Sequence, residues 1–339
     1  MSSSHTWAYR TPLGSMYHGN ALDVMAEMAD SSVNLIVTSP PFALARPKAY
    51  GNETESKYVD WFMQFAWEFH RILTDDGSLV IDLGGAWVPG SPTKSLYQWR
   101  LLIEMVDTVH FHLAQDFYWF NRAKLPGPAN WVTVNRVRAK DAVNTLWWLS
   151  KSTQPKSNNR NVLVPYSKSM QAMLKRGTYN EGGRPGGQHV GKNWAKDQGG
   201  AISPNVIETS EDEALSWGNL RVDAYADLFA EMQGEVEDMQ DVDNLIDRGN
   251  TNSSDPYHAF CRANELKRHP ARFPREVPEF FIKFLSDEGD LVFDPFGGSN
   301  VTGAVAESLG RRWIATDLDI EYIAGSLGRF ADVEVETAN

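Results

Sequence analysis

A glycine-rich turn, DPFGGSNVTG at 294–303, constrains the fold of this chain more than any other feature of its sequence. It follows an apolar strand-like run at 291–293 and opens a helix-like segment, and the next strand-like run ends at Asp317. Glycines let the backbone approach a ligand closely, and a helix N-terminus offers unpaired N–H groups. An acid about 20 residues downstream can accept hydrogen bonds from both ribose hydroxyls. The pattern predicts a nucleoside site. It favours neither a dinucleotide fingerprint nor a P-loop, because G-x-G-x-x-G and G-K-[ST] are both missing.

A second motif, TSPPF at 38–42, follows the apolar run SVNLIVT. Open α/β sheets bind ligands at the carboxyl ends of their strands, and two successive prolines hold the chain rigid there. Such a turn can aim the Ser39 hydroxyl and the Pro40 carbonyl as acceptors and leave the Phe42 ring free to stack. A planar group with an exocyclic NH₂ has the complementary surface. A plain Ser-Pro turn is the alternative interpretation of this motif by itself.

Strand-like and helix-like segments alternate at both ends of the chain, which is typical of a parallel sheet covered by helices on both faces. We therefore predict an α/β fold with a mostly parallel, doubly wound sheet. The predicted helices are at 57–73, 96–109 and 279–285, and the predicted strands are at 78–83, 116–120, 144–149, 291–293 and 313–316. Residues 152–258 show few periodic segments, so a long irregular lobe is expected there.

Charge is distributed unevenly along the 339 residues, whose formal net charge is −12. Residues 209–248 hold 12 acids and 2 arginines, whereas residues 151–200 hold 9 lysines and arginines and 2 acids. A local concentration of cations can bind phosphates even when the net charge is negative. The single cysteine, Cys261, argues against an internal disulfide or a Cys-rich zinc site, and no metal is expected. No apolar run is long enough for a membrane span, so we expect a cytoplasmic protein without a membrane partner.

The two motifs, in this order, resemble those of the β-class amino-methyltransferases of DNA. The form S-P-P-F, rather than D-P-P-Y or N-P-P-Y, resembles the cytosine-N4 branch, and longer stretches such as TSPPFAL, DFYWFN, HPARFP and DPFGGSN are similar to PvuII-type modification methyltransferases. The resemblance covers about 14–208 and 262–330. It implies a Rossmann-like methyltransferase fold, S-adenosylmethionine as methyl donor and double-stranded DNA as substrate. The implied parts are a catalytic half at 1–151, an inserted target-recognition lobe at 152–208, an acidic insertion at 209–258 and a cofactor-binding half at 259–335.

The resemblance also implies roles for individual residues. The catalytic residues would be Ser39, Pro40, Pro41 and Phe42. Phe296 would lie against the adenine, Asp317 would bind the ribose, and His269-Pro270 would lie beside the methionine portion. Asn20 stands where relatives commonly have Asp, and its amide oxygen can still accept from the adenine amino group. The full cofactor set is Asn20, His269, Pro270, Asp294, Phe296, Gly297, Gly298, Ser299, Asn300 and Asp317.

In the implied reaction, a flipped cytosine stacks on Phe42 and attacks the methyl group directly, without a covalent enzyme intermediate. Cations of the lobe at 152–208 would contact DNA, and we expect a CAGCTG target, a possible cognate restriction endonuclease and a monomer or weak dimer. Two alternatives stay open: adenine-N6 transfer in the same pocket, and a catalytically inactive, sequence-specific DNA-binding regulator. The predicted DNA-binding residues are Lys156, Arg160, Lys168, Arg184, Lys192 and Lys196.

Overall fold

A computed structural model describes residues 5–43, 54–120, 126–177, 196–208, 255–269 and 274–338. Within these residues, ten strands form one sheet in the order β10-β1-β2-β9-β8-β3-β4-β6-β5-β7. The strands are β1 Thr6–Arg10, β2 Gly14–His18, β3 Val33–Thr38, β4 Leu73–Leu83, β5 His112–Phe120, β6 Val143–Ser150, β7 Val206–Glu208, β8 Leu291–Asp294, β9 Arg312–Asp317 and β10 Glu336–Thr337. The α-helices are α1 Ala21–Glu27, α2 Glu55–Ile72, α3 Tyr97–Asp107, α4 Lys168–Arg176, α5 Pro256–Ala263, α6 Glu276–Leu285, α7 Val301–Ser308 and α8 Ile320–Ser326.

The centre of the sheet is parallel. Strands β2, β9, β8, β3 and β4 are neighbours that run in one direction, and β6 is antiparallel to β4. Residues such as Val33, Leu35, Ile36 and Val37 in β3 are fully buried. Nearly continuous burial is expected of a strand covered on both faces. The predicted α/β fold with a mostly parallel sheet is confirmed.

Helices cover the two faces of the sheet and make two apolar cores. One core packs α1, α2 and α3 against the sheet, and the other packs α6, α7 and α8 against the opposite face. The aromatic spacing that predicted α2 is explained by burial, since Tyr58, Phe62, Phe65 and Phe69 all point into the first core. These side chains recur every three or four residues and therefore share one helix face.

The lobe that looked irregular in the sequence adds a strand to the main sheet. Its last residues form β7, which pairs in parallel with β5 through Tyr118 and Val206. A three-residue strand is too short to leave a periodic pattern in the sequence. Within the lobe, α4 begins at an N-cap, where the Ser167 hydroxyl accepts from the Met170 N–H at 3.2 Å. The acidic insertion up to residue 254 lies outside the described residues.

None of the helices in the described part of the chain is both long enough and apolar enough to cross a membrane. Five parallel strands end at one edge of the sheet, which we call the carboxyl edge. The residues that follow these ends include both sequence motifs.

Candidate active site

The carboxyl edge brings the two sequence motifs side by side. Strand β8 ends at Asp294, at the start of the glycine-rich turn, and its neighbour β3 ends at Thr38, just before Ser39. On the other side of β8, strand β9 ends at Asp317. Beyond it, β2 is followed by Gly19, whose N–H donates to the Asp317 carbonyl at 3.0 Å, and by Asn20. Residues far apart in the sequence thus meet because adjacent parallel strands end together.

The glycine-rich turn is held in one conformation by hydrogen bonds from its backbone N–H groups to the end of β9. Gly298 has φ +51° and its N–H donates to Asp317 Oδ2 at 2.8 Å. The Gly297 N–H donates to the Thr316 carbonyl at 2.8 Å. A Cβ at Gly297 would lie 3.2 Å from the Ala315 side chain. The turn therefore needs glycine both for its dihedral angle and for the close approach to β9.

Asn300 closes the turn and starts helix α7. Its φ is +51°, and its side-chain oxygen accepts from the Gly303 N–H at 3.0 Å. Its amide nitrogen donates to the Tyr9 hydroxyl at 2.8 Å, and burial raises the pKa of Tyr9 to about 12. The adjacent Ser299 is buried, and its carbonyl accepts from Arg329 Nε at 2.7 Å. Asn is one of the few residues that tolerates a left-handed conformation and also caps a helix.

Asp317 keeps acceptor capacity for a ligand. Its Oδ2 accepts from Gly298 N–H, and its Oδ1 accepts from the Asp319 N–H at 2.8 Å. The Leu318 backbone N–H also bonds to this carboxylate. A carboxylate has about four acceptor sites, so part of its acceptor capacity is left for a ligand hydroxyl. Burial is the main cause that raises the pKa of Asp317. The next residue, Leu318, is 67% exposed although it is apolar.

Asp294 joins the two motifs from inside the protein. Its Oδ1 accepts from Thr38 Oγ1 at 2.8 Å and from the Phe296 N–H at 3.1 Å. Its Oδ2 accepts from Thr302 Oγ1 at 2.8 Å, and burial raises its pKa to about 6. The residue is only 3% exposed, so these contacts satisfy its carboxyl group from within. Asp294 therefore acts as a positioning residue that links β3, the glycine-rich turn and α7.

The SPPF segment lies against β4. Ser39 is half-buried, and its hydroxyl donates to Asp82 Oδ2 at 3.2 Å. The Phe42 ring lies over Gly84, where an added Cβ would approach a ring carbon to 2.6 Å. Pro40 is buried and Pro41 is half-buried. Glycine at 84 is therefore required for the present position of the Phe42 ring.

His269 lies beside the glycine-rich turn. Its ring is 3.1 Å from the position of a Cβ at Gly298, and it makes an edge contact with the Tyr322 ring at 4.6 Å between centroids. The His269 N–H donates to the Tyr257 hydroxyl at 2.8 Å. Pro270, predicted with it, is outside the described residues. The segment is thus fixed at the turn by α5 and α8.

Two further predicted cofactor residues have clear environments. Asn20 is exposed and caps α1, since its side-chain oxygen accepts from the Leu22 N–H at 3.0 Å. The half-buried Phe296 ring packs against α2, with centroid distances of 5.1 Å to Phe65 and 6.1 Å to Trp61. All the predicted cofactor residues that the structure describes therefore cluster around the ends of β2, β8 and β9.

The structure describes four of the six predicted DNA-binding residues. Lys156 forms ion pairs with Asp290 at 2.8 Å and Asp287 at 3.1 Å, next to the start of β8 and thus at the opposite edge from Ser39. Three others are exposed, namely Arg160, Lys168 and Lys196. Arg184 and Lys192 lie outside the described residues.

Sequence reasoning missed two residues of this edge. Asp82 lies in the strand predicted at 78–83, and an acid among buried apolar residues is itself a signal of function or pairing. Leu318 was missed because an apolar residue after Asp317 is not informative until its exposure is known. Its neighbour in space, His18, interacts through Nε2 with the Leu318 carbonyl at 3.2 Å.

Comparison with known proteins identifies the family to which the chain belongs. A family model described as DNA methylase matches residues 33–327. The chain is 43% identical over 327 residues to the type II methyltransferase M.PvuII of Proteus hauseri, covering 96% of this chain and 86% of that protein. It is 22% identical to M.SfiI of Streptomyces fimbriatus, covering 95% and 92% of the two chains.

Solved structures agree as well. The PvuII DNA methyltransferase, described as cytosine-N4-specific, superposes with a TM-score of 0.68 at 39% identity, covering 95% of this chain and 88% of that one. A Thermus thermophilus protein solved in complex with S-adenosyl-L-methionine shares the fold, with a TM-score of 0.50 at 16% identity and coverage of 93% and 92%. The chain belongs to the DNA methylase family and is a DNA methyltransferase.

Proposed function

We propose that this DNA methyltransferase transfers a methyl group from S-adenosylmethionine to the exocyclic N4 of cytosine in duplex DNA. The observation that carries the proposal is the placement of Ser39 beside the glycine-rich turn, with Thr38 and Asp294 hydrogen-bonded at 2.8 Å between the two motifs. The S-P-P-F sequence and the similarity to a cytosine-N4-specific relative support cytosine over adenine.

The residues at the carboxyl edge fit S-adenosylmethionine. The remaining acceptor sites of Asp317 suit the ribose hydroxyls. The exposed Leu318 side chain and the Phe296 ring offer apolar surface for adenine, and the Asn20 side-chain oxygen can accept from the adenine amino group. The glycine turn lets the ligand approach the backbone, and His269 borders the methionine portion. When bound there, the cofactor supplies an electrophilic methyl group on a sulfonium.

Asp82 gives Ser39 a defined role. A hydroxyl has one donor hydrogen and two acceptor sites, and the Ser39 hydrogen is directed to Asp82 Oδ2. Both Ser39 acceptor sites therefore remain for an N–H of the target amine. A carboxylate behind the hydroxyl would strengthen this acceptor as positive charge develops on the attacking nitrogen. After transfer, the amine proton can pass to Ser39 as the serine proton passes to Asp82.

The remaining SPPF residues hold the target base. The Pro40 carbonyl accepts the second amine hydrogen, and the rigid Pro40-Pro41 pair fixes its direction. The Phe42 ring, supported by Gly84, stacks on a cytosine that has rotated out of the duplex. Cytosine N4 is a weak nucleophile because its lone pair is delocalised into the ring, so catalysis rests on holding nitrogen and methyl in line.

The product identifies the reaction. Duplex DNA incubated with the protein and S-adenosylmethionine is digested to nucleosides and analysed by mass spectrometry, with N4-methylcytosine expected. N6-methyladenine without N4-methylcytosine would instead establish the adenine alternative. DNA binding with no methyl transfer at saturating cofactor would establish the inactive regulator.

Sequence specificity and partners belong to the same proposal. The lobe at 152–208, with exposed Arg160, Lys168 and Lys196, would contact the target, and the expected site is CAGCTG within a restriction-modification system. DNA from expressing cells should resist an endonuclease that cleaves CAGCTG and remain sensitive to endonucleases with other sites. Modified-base sequencing that finds another motif would discard this target.

A further inference from the structure

A compact loop between β5 and β6 projects from the carboxyl edge. Its backbone bonds to itself: the Asn135 N–H donates to the Asn130 carbonyl and the Val137 N–H donates to the Trp131 carbonyl, both at 2.9 Å. The two asparagine side chains also meet, with Asn135 Nδ2 donating to Asn130 Oδ1 at 2.9 Å. We call residues 130–140 the edge loop. These bonds fix its shape before any ligand binds.

The edge loop presents apolar and cationic side chains together. Val134 is 41% exposed and Val137 is 51% exposed. Arg136 and Arg138 are also exposed, and no carboxylate among the described residues lies within ion-pair distance of either. Arg136 has φ +52°, a conformation that costs roughly 1 kcal/mol or more for a residue with a side chain. Arg136 is therefore strained, exposed and without an ion pair to a described carboxylate, and such a residue suits an interaction surface better than a structural role.

The edge loop is anchored to the hairpin that follows β4. Arg138 Nε donates to the Pro92 carbonyl at 2.9 Å, and Lys94 pairs with Asp141 just after the loop. Lys94 belongs to this hairpin, bridging to Trp87 across it. The hairpin starts directly after Gly84, on which Phe42 lies. The edge loop is thus held on the same side of the sheet as Ser39.

We propose that the edge loop is a DNA-contacting element beside the catalytic pocket, separate from the lobe at 152–208. Arg136 and Arg138 contact backbone phosphates, and Val134 with Val137 lies against the bases next to the extruded cytosine. This inference rests on the proposed function for the position of the cytosine. The cations identify the partner, because a polyanion complements them and DNA is the substrate of the family.

Apolar side chains between arginines also have a specific use here. Removal of a base from the stack leaves exposed base surfaces, and proteins that distort DNA often place apolar residues against unstacked steps. A fixed loop contributes such contacts without an ordering cost at the moment of binding. The edge loop meets these requirements with its internal hydrogen bonds and its two exposed valines.

The arginines are tested by DNA affinity at several salt concentrations. Arg136→Gly removes the charge and relieves the left-handed strain, so the melting temperature should not fall. We expect Kd for target duplex to rise roughly tenfold at about 0.1 M salt, and the slope of log Kd against log salt to fall by about 1. Arg136→Lys should retain most of the affinity. S-adenosylmethionine affinity should be the same in all variants.

Arg312 is the matched control. It starts β9 at the opposite edge, is exposed, and its Nε donates to the Gly289 carbonyl at 2.9 Å, as Arg138 does to Pro92. Arg138→Ala should weaken DNA binding and Arg312→Ala should not. Equal effects of these two substitutions, or no effect of Arg136→Gly and Arg138→Ala, would overturn the inference. An effect on self-association in sedimentation without an effect on DNA affinity would overturn it in favour of a second copy of the chain.

The valines are tested with 2-aminopurine next to the target cytosine. Val134→Ser with Val137→Ser should reduce the fluorescence change on binding and raise KM for DNA, with the salt slope unchanged. An unchanged fluorescence signal and an unchanged KM would contradict the proposed contact between the valines and the bases. These readouts do not depend on which base is methylated. They therefore stay informative even if mass spectrometry shows that the methylated base is adenine.

Discussion

At the scale of single residues, the carboxyl edge holds both groups that are proposed to contact ligands and groups that position them. Ser39 is half-buried at the end of β3, and Asp82 lies behind it at 3.2 Å. Asp294 is buried, and its carboxyl group accepts hydrogen bonds from two threonine hydroxyls and one backbone N–H. Both acids occupy buried positions, but only Asp82 accepts a hydrogen bond from Ser39, the residue proposed to contact the target amine.

Replacing Ser39 tests the acceptor. Ser39→Ala removes the oxygen that is proposed to stabilise charge on the attacking amine, so kcat should fall by about 10²-fold or more, within the range of lost transition-state hydrogen bonds. S-adenosylmethionine affinity, measured by calorimetry, should be unchanged. The control is Ser32→Ala, at the other end of β3, where the hydroxyl donates to the Ala29 carbonyl at 2.6 Å. Equal kcat values for Ser39→Ala and wild type would contradict the mechanism.

Asp294 predicts a pH dependence of stability. Its folded pKa of about 6 is raised by burial above its ordinary value near 3.8, so the folded protein holds a proton that the unfolded chain releases between these values. Stability from this group is therefore present at low pH and is lost as pH rises to about 6. Each tenfold change in proton affinity corresponds to about 1.4 kcal/mol.

Asp294→Asn removes that dependence. As pH rises from about 4 to 7, the unfolding free energy of the wild type should decrease relative to that of Asp294→Asn. Urea denaturation measures both values. Asp332→Asn, at an exposed carboxylate, should follow the wild-type profile. Parallel profiles for wild type and Asp294→Asn would show that the buried carboxyl does not titrate in this range.

At the scale of elements, the strand–turn–helix unit from β8 to α7 depends on backbone conformation. Gly298 and Asn300 both have φ +51°, and each bonds to a different partner, Asp317 and Gly303. The unit combines the predicted nucleoside-binding turn with a helix cap. A side chain at 298 would contact the His269 ring, and the positive φ would also be strained for a residue with a side chain.

Gly298→Ala should therefore weaken cofactor binding. Its matched control is Gly289→Ala, at φ +83° near the start of β8, where an added Cβ meets nothing within 4 Å. Both variants should lose roughly 1–2 kcal/mol of stability from the dihedral angle. Only Gly298→Ala should also raise the Kd of S-adenosylmethionine, several-fold, by calorimetry. Equal cofactor affinity in the two variants would show that the turn does not bind the cofactor.

At the scale of the whole molecule, charge and topology work together. The sheet order gathers the ends of β2, β9, β8, β3 and β4 at one edge, and the edge loop and the end of β7 extend that edge. Most of the negative charge is elsewhere in the sequence, since residues 211–247 hold 12 acids and one arginine. The rest of the chain is nearly neutral and can present local cations to DNA.

Deleting residues 211–247 should strengthen DNA binding at low salt, because a large like charge is removed from a polyanion-binding protein. The difference should vanish above about 0.5 M salt, where the Debye length is only a few ångströms. Fluorescence anisotropy over a salt series measures it, and S-adenosylmethionine affinity serves as the control. A difference in DNA affinity that persists at high salt would indicate direct contact of this segment with DNA or with the carboxyl edge.

The sequence by itself determined the α/β class, the glycine-rich turn, Asp317 and the SPPF motif, because these depend on local periodicity, backbone dihedral requirements and residue chemistry within short windows. It could not determine β7, the hydrogen bond between Ser39 and Asp82, the hydrogen bonds that the Asp294 carboxyl group accepts, or the position of Lys156 at the edge opposite Ser39. Those depend on which strands become neighbours and where each strand ends. The tertiary structure decided them, since only the packed sheet brings together side chains separated by tens or hundreds of residues and sets their burial and charge environment.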